Sequence, residues 1–382
     1  MMALVIIGGT MILLAILYAF ILILAMSGIV RLQIPAAGTH TPSIFTSIII
    51  PVRNEEDTIT ECLKSIIHQT ISPKQFEVII SDDFSEDKTV AVIRSFIAEW
   101  PQYNWVIISG DEGKIAQSGK KGAINHAILR AQGALVITTD ADTYRGEQWL
   151  SSIMTYYKET GAKMILGPVA FDQEQTLFQK LQSLEFLGIM GVTAGLANQG
   201  MAVMCNGANL GYEKEVFHQA GGFGENKRFA SGDDQFLLWT IKKKYDNRSI
   251  RFLLDQDAIV TTPGADNLRT FFMQRLRWVS KSRGYRDGFV LFTGVVTYLF
   301  QAALLAGFFL GFLSPIFLYL SVGLLLFKIL VDFPLVFFMG RFFRKQRLWP
   351  WYIPAQIFQI LYVTLTAPLA FIIPVKWKGR KI

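Results

Sequence analysis

The sequence predicts an α/β domain with a doubly wound, mostly parallel sheet, flanked by transmembrane helices. Short β-rich runs alternate with helical patterns in the first half of the region between Pro42 and Asp287, which is typical of βαβ folds. Long apolar stretches lie on both sides of that region. Hydrophobic residues make up 51% of the 382 residues and charged residues only 18%. This balance excludes a disordered chain and indicates a partly membrane-embedded one.

The predicted strands are continuous apolar runs, as expected for strands buried on both faces of a parallel sheet. They are Thr46–Ile50, Phe76–Ser81, Trp105–Ser109 and Ala134–Thr139. The helical patterns between them are Glu56–Gln69, Lys88–Glu99 and Lys121–Ala131. Sheets of this kind bind ligands at the carboxyl ends of their strands, so the polar residues that follow the strands are the candidates for a site.

Several apolar stretches are long enough to cross a bilayer. The first, Leu4–Met26, has no convincing cleavage site after it, and we expect a retained signal anchor. Three similar stretches come late in the chain: Phe289–Leu313, Ile316–Met339 and Trp351–Ile373. In the second of these, Lys328 and Asp332 are four residues apart and are expected to pair on one helix face.

Two other stretches are typical of the membrane interface. Leu177–Ala197 is apolar with few charges, and Asn267–Gly288 mixes aromatic with basic residues, a combination that suits a helix at headgroup level. The expected domains are an anchor (1–30), a cytosolic domain (42–265), an amphipathic segment (266–288), and a membrane region (289–382) with about three helices and a basic tail.

The charge distribution argues against a nucleic-acid partner. The net charge is +7, but eight basic residues and no acidic one follow Gly340, so the rest of the chain is nearly neutral. Anionic lipid headgroups are therefore the simpler partner of the basic end. The two cysteines, Cys62 and Cys205, cannot make a disulfide framework, and their spacing is not that of a zinc site.

Polar residues follow the first two predicted strands. Pro51, Arg53 and Glu55 come after the first strand; Pro51 is expected to end it, and the segment could line a base or ribose or be a plain turn. Asp82 and Asp83 follow the second strand. Adjacent carboxylates repel each other, so one could accept hydrogen bonds from a nucleobase or ribose. The alternative is that Asp83 or Ser85 caps the next helix.

Asp140 and Asp142 follow the fourth strand, where residues two apart in an extended chain point to the same side. Two converging carboxylates are a minimal site for Mg²⁺ or Mn²⁺, with a diphosphate completing the coordination. Lys120, in the motif Ser118-Gly-Lys-Lys, opens a helix. A lysine is unfavourable at a helix N-terminus unless an anion lies there.

Two later motifs complete the candidates. In Ser231-Gly-Asp-Asp, either Asp233 or Asp234 could be a general base, and helix capping is the structural alternative. In Gln274-Arg-Leu-Arg-Trp, Arg277 could neutralise a leaving diphosphate and Trp278 could stack on a sugar. Both could also serve as membrane anchors.

The order of these motifs resembles the family-2 glycosyltransferases of the GT-A fold, in particular the membrane-integrated branch that includes cellulose and hyaluronan synthases. The resemblance covers Thr46 to about Trp278. It implies that the nucleotide is held by Pro51, Arg53, Glu55, Asp82, Asp83 and Lys120. It also implies that Asp140 faces the diphosphate and that Asp142 ligates the metal.

For the acceptor, the resemblance implies that Asp234 is the base. Asp233 stands where the family usually has Glu, so the choice between the two aspartates stays open. Gln274, Arg277 and Trp278 would border the diphosphate and the acceptor channel, and Asn206 and Asn209 would lie on the acceptor side.

The expected activity is transfer of a sugar from a nucleotide-sugar, in the first place a UDP-sugar, to a hydroxyl of a lipid-linked or saccharide acceptor. No residue is placed as a covalent nucleophile, so a single displacement with inversion is expected. The alternatives are a processive polysaccharide synthase and a nucleotide-binding membrane transporter or sensor. The expected location is the bacterial inner membrane, with the catalytic domain cytoplasmic.

The topology has two solutions. If all four stretches cross, the basic tail lies outside, against the positive-inside rule. If Trp351–Ile373, interrupted by Pro354 and Pro368, lies at the interface, the tail lies inside. We expect four crossings, because the first helix determines orientation more strongly than charges at the C-terminus.

Overall fold

The computed structural model describes residues 2–32, 44–109, 119–223, 232–373, 376–377 and 380–381. Pro42, Ser118 and Ser231, which are named above, lie outside these described residues. The chain divides into two compact units. The sheet unit contains Leu32–Asp172 and Gly200–Pro263, and the helical unit contains Met1–Arg31, Gln173–Gln199 and Gly264–Ile382.

The sheet unit is built on a seven-stranded sheet. Its strands are β1 (Thr46–Val52), β2 (Phe76–Asp82), β3 (Asn104–Ile108), β4 (Leu135–Thr138), β6 (Met164–Leu166), β8 (Leu210–Glu213) and β9 (Ile250–Phe252). Their order is β3-β2-β1-β4-β8-β6-β9. All neighbours are parallel except at β8, which is antiparallel to β4 and β6. The predicted mostly parallel α/β sheet is confirmed.

A smaller sheet has three strands: β5 (Tyr144–Arg145), β7 (Val169–Phe171) and, between them, β10 (Val260–Thr262). The helices of the sheet unit are α2 (Ile59–Ile67), α3 (Thr89–Glu99), α4 (Lys120–Arg130), α5 (Trp149–Thr160), α7 (Lys214–Gln219) and α8 (Asp233–Lys244). Alternate strand residues, such as Ile48 and Ile50, pack with α2, α3 and α5 in one core. Helix α4 contacts β1 and β2.

The loop after β1 differs from the expectation. Pro51 does not end the strand, which continues to Val52 and stays paired with β2, Pro51 lying opposite Ser81. Pairing with β4 stops at Ile49, so proline's missing N–H lies where β1 has a neighbour on one side only. Helix α2 starts three residues later than predicted, with Thr58 preceding it.

The helical unit contains α1 (Met2–Val30), α6 (Leu177–Asn198), α9 (Leu268–Ser280), α10 (Gly288–Leu310), α11 (Pro315–Phe342), α12 (Tyr352–Leu369), β11 (Lys376–Trp377) and β12 (Arg380–Lys381). Within the described residues, three helices are long and apolar enough to cross a membrane: Leu4–Val30, Gly288–Leu310 and Pro315–Phe342. Helix α12 has only 18 residues, and its glutamines, Gln356 and Gln359, lower its hydropathy. A fourth crossing stays a prediction.

Helix α6 packs inside the helical unit, and its location at the membrane interface stays a prediction. It contacts α1, α11 and α12. Its backbone lies so close to α1 that a Cβ on Gly28 would be 2.0 Å from the Gly195 carbonyl oxygen. The Asn198 amide also donates to the Gly28 carbonyl oxygen over 2.8 Å. An all-round apolar pattern is common to interfacial and buried helices, and here partner helices cover it.

The ionisable pair inside α11 is confirmed. Lys328 Nζ lies 2.7 Å from Asp332 Oδ2, and the Tyr18 hydroxyl of α1 donates to Asp332 Oδ1 over 2.8 Å. Lys328 also donates to the side-chain oxygens of Gln356 and Gln359 on α12. Because buried charges are costly unless paired, this cluster links three helices of the unit.

The close crossing of α1 and α6 predicts a position-specific loss of stability. Gly28→Ala should lower the free energy of unfolding in detergent by about 2 kcal/mol, because the added methyl group overlaps a backbone carbonyl. Gly9→Ala, on the same helix with nothing within 4 Å of its Cβ, should be neutral or slightly stabilising. Denaturant unfolding of both variants tests this, and equal stabilities would contradict it.

Candidate active site

The candidate site lies at one edge of the main sheet. Strands β1, β2 and β4 are parallel neighbours, so the segments after their carboxyl ends meet there. The N-terminal ends of α4 and α8 bring Lys120 and Asp233 to the same place, since their side chains lie 3.7 Å apart.

Arg53 joins the loops that follow β1 and β2. Its Nη1 donates to the carbonyl oxygens of Asp83 (2.6 Å) and Phe84 (2.8 Å), and its Nη2 to Glu86 (3.1 Å). Only 7% of Arg53 is exposed. Asn54 adds a second link, because its Oδ1 accepts from the Glu86 N–H over 2.8 Å. Arg53 therefore shapes the predicted nucleotide-binding edge through the backbone of the second loop.

The carboxylates of Asp82 and Asp83 are each held by backbone N–H groups. Asp82 accepts from the Ser85 N–H at 3.1 Å, and Asp83 Oδ1 accepts from the Gly119 N–H at 2.8 Å. These bonds offset the repulsion between adjacent carboxylates. The alternative that Asp83 or Ser85 caps α3 is wrong, since Lys88 occupies the N-cap position and no side chain caps the helix there.

The Asp140–Asp142 segment is a turn and not the extended chain that its position after a strand predicts. β4 ends at Thr138, and residues 141–142 are in the turn, which the Thr143 hydroxyl closes by donating to the Asp140 carbonyl oxygen over 2.6 Å. The two carboxylates still lie close together. Burial first, and then the nearby charges of Asp140 and Glu55, raise the pKa of Asp142 to about 6.

Lys120 is the cation at the centre of these carboxylates. Its Nζ lies 2.5 Å from Asp140 Oδ1 and 3.7 Å from Asp233 Oδ2. Burial alone would lower the pKa of Lys120, but Asp140, Asp233 and Asp234 outweigh it and raise the pKa. The anion expected beside this lysine at the start of α4 is thus supplied by the protein itself.

Asp233 and Asp234 are the first two residues of α8, where carboxylates suit the helix dipole. Asp234 Oδ2 accepts from the Gly207 N–H over 3.2 Å. A Cβ on Gly207 would lie 3.3 Å from Asp233 Oδ2 and 3.4 Å from Lys120 Nζ. The segment 205–209 is therefore packed against both the acidic pair and Lys120.

The two asparagines of segment 205–209 have different surroundings. Asn206 is partly exposed, and its Oδ1 accepts from the Ala208 N–H over 3.0 Å. Asn209 is 1% exposed. Its Oδ1 accepts from Trp149 Nε1, and its Nδ2 donates to the carbonyl oxygens of Pro168 and Ala258. These bonds occupy both ends of the amide, so we assign Asn209 a structural role in place of the expected acceptor contact.

Three residues outside the predicted site support the acidic turn: Thr139, Thr143 and Arg145. Arg145 is buried, and its Nη2 donates to both threonine hydroxyls. No sequence signal identifies them, because their contacts depend on how β4, β5 and the turn between them fold together.

The predicted acceptor motif lies on α9 of the helical unit. In that unit Arg275, between Gln274 and Leu276, is buried and its Nη2 lies 2.5 Å from Glu185 Oε2. Its guanidinium also lies 4.1 Å from the centre of the Trp278 ring. The roles of Gln274, Arg277 and Trp278 toward diphosphate and acceptor stay predictions.

The acidic turn fits a divalent cation shared with a ligand. Within the described part of the chain, no group of three or more His, Cys, Asp or Glu residues forms a complete metal site. Asp140 and Asp142 are oxygen ligands of the kind that Mg²⁺ and Mn²⁺ prefer, and such ions take remaining ligands from phosphates and water. Burial first, and then the negative charges of Asp140 and Glu55, raise the pKa of Asp142, and a bound cation would offset those charges.

Comparison with known proteins decides the family. Residues 47–221 match the model of Glycosyl transferase family 2, and residues 135–372, more than half of the chain, match that of Glycosyl transferase family group 2. The chain belongs to the family-2 glycosyltransferases. The expected family is confirmed, while the resemblance to the cellulose and hyaluronan synthase branch stays a prediction.

Curated relatives of this glycosyltransferase match over part of their length. Glycosyltransferase AglE of Haloferax volcanii is 33% identical over 127 residues, 33% of this chain and 40% of that protein. An N-acetylglucosaminyltransferase of Bradyrhizobium diazoefficiens is 25% identical over 251 residues, 64% of this chain and 49% of that protein. The chain thus spans less than half the length of these relatives.

One solved structure shares the fold of this glycosyltransferase over most of the chain. The mannosyltransferase PcManGT of Pyrobaculum calidifontis, in complex with GDP-Man and Mn²⁺, superposes with a TM-score of 0.55 at 18% identity. The match covers 93% of this chain and 99% of that one. The expected GT-A type of α/β fold is confirmed.

The raised pKa of Asp142 predicts that cation affinity depends on pH. A carboxyl with a pKa of about 6 in place of 3.8 stays protonated to higher pH and must lose its proton before it binds a metal. Mn²⁺ affinity should therefore be constant above about pH 7 and fall by up to about tenfold per unit below about pH 6. Electron paramagnetic resonance titrations of free Mn²⁺ check this.

The control for the pH titration is Asp142→Asn, which removes the titrating group. Its weaker Mn²⁺ binding should lack the step near pH 6. A wild-type affinity that does not change between about pH 5 and about pH 8 would contradict the assignment of Asp142 as a ligand.

Proposed function

We propose that the protein is a membrane-bound inverting glycosyltransferase that moves a sugar from a nucleotide-sugar to a hydroxyl of a lipid-linked or saccharide acceptor. The observation that carries this proposal is the position of the Lys120 ammonium group, 2.5 Å from Asp140 and 3.7 Å from Asp233. It brings the acidic turn expected to face the diphosphate together with the acidic pair expected to supply the base.

The donor would bind at the edge formed by the ends of β1, β2 and β4. Pro51, Glu55, Asp82 and Asp83 would line the nucleotide, and Arg53 would fix the shape of the loop beside it. Asp142, with Asp140, would hold Mg²⁺ or Mn²⁺. The bound ion would stabilise the negative charge that develops on the leaving diphosphate, and the Lys120 ammonium group would add positive charge at the same place.

Asp234 is the proposed base. Its Oδ2 is oriented by the Gly207 N–H, and its neighbour Asp233 lies within ion-pairing distance of Lys120. Asp234 is preferred to Asp233 because it is the second acidic residue of the pair, which is where the family resemblance implies the base. The acceptor hydroxyl would lose its proton to Asp234 while its oxygen attacks the anomeric carbon of the donor sugar.

Inversion follows from a single displacement. The acidic residues of the site offer a base and a metal-binding turn, and the nearby Cys62 thiol is buried, which raises its pKa and makes it a poor nucleophile. In a direct attack by the acceptor, the nucleoside diphosphate departs from the opposite face of the sugar. Such a reaction needs a base and a metal-binding turn but no covalent nucleophile.

Three helices that are long and apolar enough to cross a membrane support a membrane location and a lipid-linked acceptor. We further propose that the membrane is a bacterial inner membrane and that the catalytic domain is cytoplasmic. We also propose that the protein belongs to the branch of cellulose and hyaluronan synthases. Transfer of one sugar per acceptor is favoured over processive synthesis, since a polymer channel would need more membrane helices.

Turnover by the purified protein tests the proposal. Radiolabelled UDP-sugars and GDP-sugars should be supplied with Mn²⁺ and a membrane lipid extract, and the lipid products analysed by mass spectrometry. The proposal expects labelled lipid from at least one donor, with release of the nucleoside diphosphate. Binding of nucleotide-sugars without any turnover would favour the transporter or sensor alternative.

The assignment of the base predicts a difference between neighbouring aspartates. Asp234→Asn should reduce transfer by at least about a hundredfold, in the range of lost general-base catalysis, yet leave the affinity for the nucleotide-sugar unchanged. Asp172→Asn, an exposed aspartate of the sheet unit, is the matched control and should be fully active. An active Asp234→Asn beside an inactive Asp233→Asn would reverse the assignment.

A further inference from the structure

Arg145 is a buried cation without a carboxylate partner in the described part of the chain. It is 2% exposed and lies on β5, where its backbone pairs with Val260. Its guanidinium stacks on Trp149, 4.9 Å from the ring centre, and its Nε and Nη1 have no hydrogen-bond partner. Burying such a group is costly, and a buried polar group left unsatisfied calls for an explanation.

The contacts that Arg145 does make converge on the acidic turn. Nη2 donates to the Thr143 hydroxyl (2.5 Å), to the Thr143 carbonyl oxygen (3.2 Å) and to the Thr139 hydroxyl (3.2 Å). It also lies 3.4 Å from the sulfur of Cys62. Thr139 and Thr143 stand at the two ends of the segment that carries Asp140 and Asp142, so one guanidinium holds both ends.

Arg145 also determines the direction in which the hydroxyl groups of Thr139 and Thr143 donate their hydrogen bonds. A guanidinium only donates, and a hydroxyl has a single hydrogen to give. Each threonine therefore accepts from Arg145 and donates onward. Thr143 donates to the Asp140 carbonyl oxygen over 2.6 Å, and Thr139 to the Ala208 carbonyl oxygen over 2.8 Å.

These contacts extend to the segment that holds the proposed base. The first route runs through Thr139 to the Ala208 carbonyl oxygen. The second runs through Trp149, which stacks on Arg145 and donates from Nε1 to Asn209 Oδ1 over 3.0 Å. Between Ala208 and Asn206, the Gly207 N–H donates to Asp234.

We propose that Arg145 is a positioning residue that fixes the metal-binding turn relative to the base Asp234. The inference rests on the proposed function of these two groups. Arg145 lies outside every motif found in the sequence. In this proposal its buried side chain sets the distance between the donor's diphosphate and the acceptor's proton. The alternative is that Arg145 only stabilises the fold.

The test compares Arg145→Met, which keeps an unbranched apolar stem but removes the charge and the donors, with Arg130→Met, which changes an exposed arginine of α4. Mn²⁺ affinity is measured by electron paramagnetic resonance with UDP and, in parallel, GDP. Circular dichroism and thermal unfolding report on folding. Arg145→Met should weaken Mn²⁺ binding by about tenfold or more, as loss of a group behind a metal ligand does. Arg130→Met should bind like the wild type.

A second variant keeps the test decisive if Arg145→Met does not fold. Thr143→Val is nearly isosteric and removes only the hydroxyl between Arg145 and the turn. It should also weaken Mn²⁺ binding, and the double variant should be no weaker than Arg145→Met, because both act through one contact. At saturating Mn²⁺, Arg145→Met should still have a lower kcat with an unchanged KM for the donor, because the base is displaced.

Each outcome bears on the inference. Folded variants with wild-type Mn²⁺ affinity and wild-type kcat would overturn it and leave the proposed function in place. A kcat fully restored by saturating Mn²⁺ would overturn the link to Asp234. A wild-type protein that binds no Mn²⁺ with either nucleotide would overturn the metal-dependent function, and the inference with it.

Discussion

The ammonium group of Lys120 is the interaction on which the candidate site depends. Asp140, Asp142, Asp233 and Asp234 come from segments far apart in the sequence, and their charges would repel one another at this edge of the sheet. Lys120 lies between two of these segments, within ion-pair distance of both Asp140 and Asp233. These four carboxylates still outnumber the single ammonium group, and burial, followed by the charges of Asp140 and Glu55, raises the pKa of Asp142. A cation and a diphosphate would enter the site as a pair of opposite charges.

Much of the fold could be predicted from the sequence, because buried parallel strands are continuous apolar runs and each of the four predicted strands is present. The exact ends of the strands and the packing partners of the helices could not be predicted. Whether Pro51 ends a strand depends on which neighbour β1 has at that point. The composition of α6 predicts a helix, but the contact of Gly195 with α1 depends on a partner more than a hundred residues away.

The residues of the candidate site, too, were predictable only in part. Asp140, Asp142, Lys120 and the pair 233–234 were predictable because strand ends and helix starts are where a doubly wound sheet binds ligands. Arg145 was not, since its role comes from three hydroxyl and carbonyl contacts formed only in the folded turn. Asn209 shows the opposite error: a polar residue in a promising segment whose amide is fully used inside the protein.

Replacement of the central cation tests the account most directly. Sugar transfer by Lys120→Met should be compared with that by Lys158→Met, an exposed lysine of α5, at saturating Mn²⁺ and with both proteins shown to be folded. The account predicts that Lys120→Met loses about 10²–10³ in kcat, as expected when a charge that stabilises the transition state is removed, while Lys158→Met is unaffected. Equal turnover by the two variants would contradict it.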